Sequence, residues 1–379
     1  MQLKNLTLAA LVGAVSAQQM MNLTGTIASN NATSNLTTFF GLFPELAQTL
    51  DSAQNITFLA PSNEAVAALL ESNPNITQNT DALRAVLQYH VLNGTYLSSA
   101  ITNTSAFVPT LLTNQTFTNV TGGQVVEAIN IGGNVTFYSG LLQNVSVVQA
   151  DLNFTGGVIH VIDGLLTVPA NVSETALAAG LTSLVGALNN TDLVGAVNSQ
   201  SDVTIFAPNN AAFQNIGSAV ANLTTEELAA ILQYHVVAGE SPLYSSTLTN
   251  GTTVTTLGGE DLTITLINGS VFVNSAEVVT PNVLVAGGVV HVIDNVLNPQ
   301  MSMAPNASAT TGAPAFSGAT SASEAPFTSG VAAPSTTINP SEAGAGAASS
   351  TSSALGVAMK TGAVGAAALF GAGAALLNY

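Results

Sequence analysis

The chain is expected to fold as two tandem α+β domains, each with its helices first and its strands second. Three observations carry this. The octapeptide Gly156–Asp163, GGVIHVID, returns as GGVVHVID at Gly287–Asp294, with Ile159 against Val290 as the one change. Thr57–Asn63 (TFLAPSN) is matched by Thr204–Asn210 (TIFAPNN), and Leu87–Val91 (LQYHV) recurs unchanged at Leu232–Val236. The blocks keep their order, at spacings of 147 residues for Pro61 and Pro208, 145 for His90 and His235, and 131 for His160 and His291. A unit of that length is a whole domain rather than a solenoid repeat. A chain of 379 residues holds two of them, each large enough to bury its own core.

Taken in order, residues 1–17 carry the parts of a secretory signal: Lys4, an apolar run Leu6–Val15, and the small-residue site Val15-Ser16-Ala17. Residues 18–34 form a segment rich in glycosylation acceptors, and the first domain spans 35–169. Phe39, Leu42, Phe43, Leu46 and Leu50 have helical spacing, and Pro44 either starts or kinks that helix. Ile56–Ala60 is a β-prone run closed by Pro61, and Ser62 is placed to cap the Ala-rich helix that follows. Leu83, Val86, Leu87 and His90 then fall on one helical face. From Thr116 to Thr167 the pattern turns to short apolar runs broken by Gly122-Gly123, Gly132-Gly133, Gly140 and Gly156-Gly157, read as turns between strands.

The second domain, 173–299, repeats this order. Thr224-Thr225-Glu226-Glu227 has the form of a capping box ahead of Leu228, Ile231, Leu232 and His235. Asn268-Gly269 between two β-prone runs predicts a two-residue type I′ hairpin. Thr263 and Thr265 alternate with Leu262, Ile264 and Leu266, which predicts a strand with one wet face. Residues 300–353 are Ala, Ser, Thr, Pro and Gly, the composition of a disordered, O-glycosylated stalk. Residues 354–379 fit a removable signal for a glycosylphosphatidylinositol (GPI) anchor: a polar spacer with Lys360 and an apolar tail, following small residues at Ser349, Ser350, Ser352 and Ser353. The competing reading of Gly362–Leu377, a transmembrane helix, lacks a basic cluster behind it.

Charge narrows the function further. Lys+Arg number 3 against 20 Asp+Glu, and once both ends are removed Arg84 is the only strong cation left. Nucleic acid and anionic membrane surfaces are thereby excluded as partners, since both are bound through Lys and Arg. Solubility has to come from sugar, and Asn-x-Ser/Thr acceptors abound, among them Asn75, Asn93, Asn103, Asn114, Asn222, Asn250 and Asn306. With no cysteine, neither disulfides nor thiol chemistry is available.

The repeated blocks resemble a known family. Thr57–Asn63 and Thr204–Phe213, with Pro61 and Pro208, are similar to the first signature of the fasciclin family. Tyr89-His90 and Tyr234-His235 resemble its Tyr-His motif, and the two GGV[IV]HVID blocks, with His160, Asp163, His291 and Asp294, its second signature. The layout looks like a fungal fasciclin-like surface protein. The resemblance implies a β-wedge with helices packed along it, and a role in cell–cell or cell–matrix adhesion. Partners would then be surface or wall glycans and proteins, or a second copy, with the membrane reached only through the lipid anchor. Two departures stand out: Val66 occupies the place of Phe213, and no Arg-Gly-Asp is present.

The Tyr-His pairs are the candidates for adhesive contact. Against that, His90 and His235 share a helical face with leucines, so both pairs also read as structural, with the rings packed and the Tyr hydroxyls exposed. His160 and His291 sit in β-runs and are expected to be partly buried, and Asp163 and Asp294 to bond the turns after their strands. Neither catalytic nor metal-binding spacing is found, so no enzyme activity and no cofactor is expected. The leading reading is a GPI-anchored adhesive glycoprotein of the cell surface, with vacuolar residence as an alternative location. The alternative function is a wall component cross-linked through its glycans, without a specific partner.

Overall fold

The computed structural model describes residues 20–305 and 311–333. The leader at 1–17, Asn306, the four candidate anchor serines and the 354–379 signal lie outside the described residues.

The first domain opens with a helix in the segment expected only to carry sugar. Asn22 caps α1 (Leu23–Ser29) by accepting from the Gly25 amide, and Leu23 and Ile27 are fully buried. Residues 18–34 therefore include part of the first core. Pro44 settles the choice left open above: α2 (Leu36–Leu42) stops and α3 (Pro44–Ser52) starts at the proline, with Phe43 between them, because proline is tolerated in a first helical turn. Strand β1 (Ile56–Pro61) is followed by α4 (Asn63–Ser72), whose Ala65 amide donates to Ser62 Oγ, and then by α5 (Thr80–Tyr89).

Six more strands complete the sheet: β2 (Val91–Asn93), β3 (Ala106–Pro109), β4 (Val125–Ile131), β5 (Asn134–Tyr138), β6 (Asn144–Phe154) and β7 (Gly157–Ile162). Their order is β2-β1-β7-β6-β5-β4-β3, with β1 and β7 the parallel pair. Gly132-Gly133 does turn between strands, β4 and β5. Gly122-Gly123 instead lies in an irregular stretch ahead of β4, and β-structure in this region starts at Val125 rather than Thr116. Gly157 is required by its surroundings: at φ 154° its α-carbon faces the Ile56 carbonyl, where a Cβ would collide.

The second domain has the same plan. Its helices are α6 (Val172–Ala178), α7 (Thr182–Asn190), α8 (Val194–Asn198), α9 (Asn210–Asn215), α10 (Gly217–Val220) and α11 (Thr225–Tyr234). Its strands are β8 (Val203–Pro208), β9 (Val236–Ala238), β10 (Thr253–Thr255), β11 (Asp261–Ile267), β12 (Ser270–Val273), β13 (Ala276–Val285) and β14 (Gly288–Ile293), in the order β10-β11-β12-β13-β14-β8-β9. Asn268 and Gly269, at φ 51° and 89°, make the β11–β12 hairpin as predicted. The capping box also forms. Thr224 Oγ1 accepts from the Glu227 amide (3.2 Å) and Glu227 Oε2 from the Thr224 amide (2.8 Å). Thr224→Ala should destabilise the second domain by about 1 kcal/mol; an unchanged denaturation midpoint would show that this cap contributes nothing.

The domains meet through side chains that periodicity does not mark. Phe107 on β3 stacks on Tyr244, with ring centroids 4.0 Å apart and planes 9° from parallel. Thr121 donates its amide (2.8 Å) and its hydroxyl (2.6 Å) to the Asp202 carboxylate, and Gln124 Nε2 donates to the Val285 carbonyl (3.1 Å). Leu141 and Leu142, both left-handed, leave the first domain and join the apolar core of the second. Glu127 lies buried at this contact. Burial pushes its carboxyl pKa up, while hydrogen bonds from Ser105 and Asn282 pull the other way.

Folded structure also runs past Pro299. Residues 311–333, which composition places in the stalk, lie along the second domain. Gly312 donates its amide to Asp294 Oδ2 (2.7 Å), Ala313 and Ser275 exchange hydrogen bonds, and Asn298 Nδ2 donates to the Ala315 carbonyl (3.0 Å). Phe316, Ala319, Phe327 and Val331 pack against the second core. Among the described residues no helix is long and apolar enough to cross a membrane.

Candidate functional site

The Tyr-His motif closes the same helix in each domain, and all four side chains are inside: Tyr89 0%, His90 1%, Tyr234 1% and His235 2% exposed. His90 is the C-cap of α5. Its Nδ1 donates to the Val86 carbonyl (2.7 Å), and its Nε2 accepts from the Leu166 amide (3.0 Å). His235 does the same at α11, donating to Ile231 (2.7 Å) and accepting from Leu297 (2.9 Å). Each imidazole thus ties a helix end to the segment leaving the last strand of its sheet. Burial lowers both rings to about pKa 4, against a smaller upward pull from the backbone hydrogen bond. The tyrosine hydroxyls, expected at the surface, are not there. Tyr89 Oη donates to the Val125 carbonyl (2.8 Å), while Tyr234 Oη donates to Asp261 (3.1 Å) and accepts from Asn274 Nδ2 (2.9 Å).

His160 and His291 are fully buried rather than partly so. His160 Nε2 donates to the Tyr96 carbonyl (2.7 Å) and its Nδ1 accepts from the Asp151 amide (3.2 Å). Ser98 Oγ donates to Asp151, so serine, aspartate and histidine lie together here. This is not a catalytic triad. The serine bonds the carboxylate rather than the imidazole, and the imidazole proton is committed to a carbonyl. The second domain builds the same network with an amide in place of the acid: Ser245, Asn282, and His291 on the Leu243 carbonyl. A network that works with either Asp or Asn is a brace.

Pro61 and Pro208 end β1 and β8, pairing with Ile162 and Ile293. Asp163 and Asp294 both bond the start of a neighbouring strand, accepting from the amides of Ser146 and Glu277 (2.8 Å each), and Asp294 also bonds the turn that follows it, accepting from Asn295 Nδ2 (2.9 Å). Among the described residues no group of three or more His, Asp and Glu could hold a metal ion.

What faces outward is asparagine. Asn75, Asn93, Asn103, Asn114, Asn222 and Asn250 are all exposed, as are Asn22, Asn31, Asn35, Asn55, Asn134, Asn144, Asn153, Asn189 and Asn268; Asn119 and Asn171 are half-buried. The two domains differ here at equivalent places. Where the second domain sets Asp202 and Leu284 against the first, the first carries Asn55 and Asn153, both exposed acceptors. Where the first sets Phe107 and Glu127 against the second, the second carries the paired Thr253 and Thr263.

The sequence model of the Fasciclin domain matches residues 34–169 and again 179–299. The chain belongs to the fasciclin-domain family. Relatives include a fasciclin-like arabinogalactan protein of Arthroderma benhamiae, 39% identical over 310 residues, covering 80% of this chain and 73% of the relative. Another, from Cercospora beticola, is 35% identical over 264 residues, covering 67% of this chain and 70% of the relative. Among solved structures, a FAS1 domain pair from the insect cell adhesion molecule Fasciclin I is matched over 69% of this chain and 96% of that one, at 22% identity and a TM-score of 0.34. The fasciclin signature histidines are accordingly part of what holds each domain together. The side chains that sequence reasoning missed are Phe107, Tyr244, Glu127, Asp202, Phe316 and Phe327. Only the last two carried a signal, as the two aromatic residues of 300–353.

Proposed function

We propose that this is a secreted, heavily glycosylated cell-surface protein, held by a C-terminal lipid anchor, whose tandem fasciclin domains mediate weak adhesion multiplied by copy number. The observation that carries it is the fasciclin pair itself, with acceptor asparagines exposed over both domains and almost no cationic surface. The relatives' name, fasciclin-like arabinogalactan protein, supports the same reading. The density of acceptors on the first domain favours a second reading, a wall component joined through its sugars.

The test coats beads with the secreted protein, before and after enzymatic removal of N-glycans, and scores clumping and binding to wall polysaccharide. Adhesion by the domains predicts clumping that survives deglycosylation. Clumping or polysaccharide binding that vanishes with the sugar supports the wall reading. Beads that stay apart in both states would remove the adhesive reading.

A further inference from the structure

The segment 311–333 behaves as a ligand of the second domain. It contains neither helix nor strand, yet it is held along its length by two copies of a short pattern. Ala313-Pro314-Ala315-Phe316-Ser317-Gly318 and Ala325-Pro326-Phe327-Thr328-Ser329-Gly330 each set a phenylalanine against the domain core. Each then turns at a glycine, Gly318 at φ 77° and Gly330 at φ 79°. Between the two patterns the contacts are those an extended peptide makes. Ala322 donates its amide to the Gln214 carbonyl (2.9 Å), and Gln214 Nε2 donates to the carbonyls of Ala322 and Ser323 (3.2 Å each). Ser218 donates its amide to the Thr320 carbonyl (3.0 Å), and Thr320 its amide to Ser218 Oγ (2.8 Å).

The groove is shaped for this segment. The Phe327 carbonyl lies over Gly186 on α7, and Ala322 lies over Gly217 on α10, so a Cβ at either glycine would collide with the strap. Phe327 meets Phe213 edge-on, with centroids 6.2 Å apart and planes at 89°. It sits at φ 64°, a left-handed conformation that a bulky residue adopts only when its surroundings impose it. The first domain has no such groove. Leu70 stands in the place of Gly217 and is 40% exposed, and Gly41, in the place of Gly186, has nothing within 4 Å of its Cβ position.

None of these contacts requires strap and groove to belong to one chain. The strap joins neither sheet, so its release costs its own contacts and leaves the domain fold intact. Exchange of an identical segment between two copies restores every contact, which is why swapping is a low-cost route to dimers. We propose that the α7–α9–α10 groove is the protein's homotypic site: the strap of one copy docks in the groove of a second, and reciprocally. The product is a closed two-fold pair. This names the partner within the adhesive reading, and rests on that reading only for the crowding that brings a neighbour's strap close.

The absence of native cysteine allows a direct test with the full-length protein. Two single variants, Ser218→Cys and Thr320→Cys, are mixed, concentrated and oxidised, and the disulfides are mapped by mass spectrometry. Exchange predicts a mixed dimer joined 218 to 320 whose yield rises with concentration. That yield should fall at least about tenfold when the groove chain also carries Gly217→Leu, or the strap chain Phe327→Ala, as for loss of an interface hot spot. Gly217→Leu installs the residue that the first domain carries at this place, and a thermal melt confirms that the variant is folded. Cross-links confined to 218–218 and 320–320, or a 218–320 yield indifferent to either substitution, would overturn the proposal. The adhesive reading is judged separately by the beads: mixed dimers together with inert beads would sink adhesion and leave exchange standing.

Discussion

Replacing Tyr89 or Tyr234 by alanine is expected to destabilise its own domain by roughly 3–5 kcal/mol, the range for truncating a large buried aromatic. Both rings are among the largest fully buried side chains of the molecule. Each also satisfies a backbone carbonyl across the domain, Val125 from Tyr89 and Asp261 from Tyr234. Tyr→Phe keeps the ring and loses only the hydroxyl, at a cost of about 1–2 kcal/mol for the stranded carbonyl. At Tyr234 the loss also strands Asn274 Nδ2. Denaturant titration of both series, run beside bead clumping, separates the roles. The buried geometry predicts that adhesion tracks the folded fraction, and hence that the Phe variants still adhere. A folded, full-stability Tyr89→Ala protein that no longer clumps beads would restore the motif as a contact surface.

Acidification should be the second large effect, and the second domain should show it plainly. His90, His235 and His291 are each held at about pKa 4, chiefly by burial, with a backbone hydrogen bond pulling weakly upward. In the unfolded chain a histidine titrates near pH 6.5. As pH falls through that value the unfolded state takes up protons that the folded state refuses, so stability drops between about pH 6.5 and 4 and levels off below. Each ring contributes up to about 3 kcal/mol. Two of the three lie in the second domain, whose melting temperature should fall by roughly 10 °C or more from pH 7 to 4.5. Glu127 acts in the opposite sense. Its raised folded pKa adds stability that is present at low pH and lost as pH rises through that value, and it does so at the contact between domains. Calorimetry at several pH values tests this, since a second-domain transition unchanged from pH 7 to 4.5 would contradict the burial of these rings.

The sequence made the repeated parts of the fold legible. Tandem α+β domains, the break at Pro44, the Ser62 and Thr224 caps and the Asn268-Gly269 hairpin all rest on local chemistry, which neighbouring residues decide among themselves. The face shared by His90, Val86 and Leu83 is an i, i+4, i+7 relation and was equally readable. Contacts between residues far apart were not. The destination of the Tyr89 hydroxyl depends on β4, 36 residues on, and stacking of Phe107 on Tyr244 leaves no period in either strand. The helix α1 was hidden by an Asn- and Thr-rich stretch whose two apolar residues, Leu23 and Ile27, are enough to seat it. The strap was hidden by averaging, because its small polar residues outnumber the two phenylalanines that place it.

Head-to-tail contact between duplicated domains is ordinarily open-ended: whatever joins copy one to copy two could add a third, and a fibre results. Here the series is terminated at both poles. A newcomer at the first domain would meet Asn55 where Asp202 grips Thr121, and Asn153 where Leu284 packs. At the second domain it would find Thr253 and Thr263 in place of Phe107 and Glu127. The joint can be made once in each molecule, and growth stops at two.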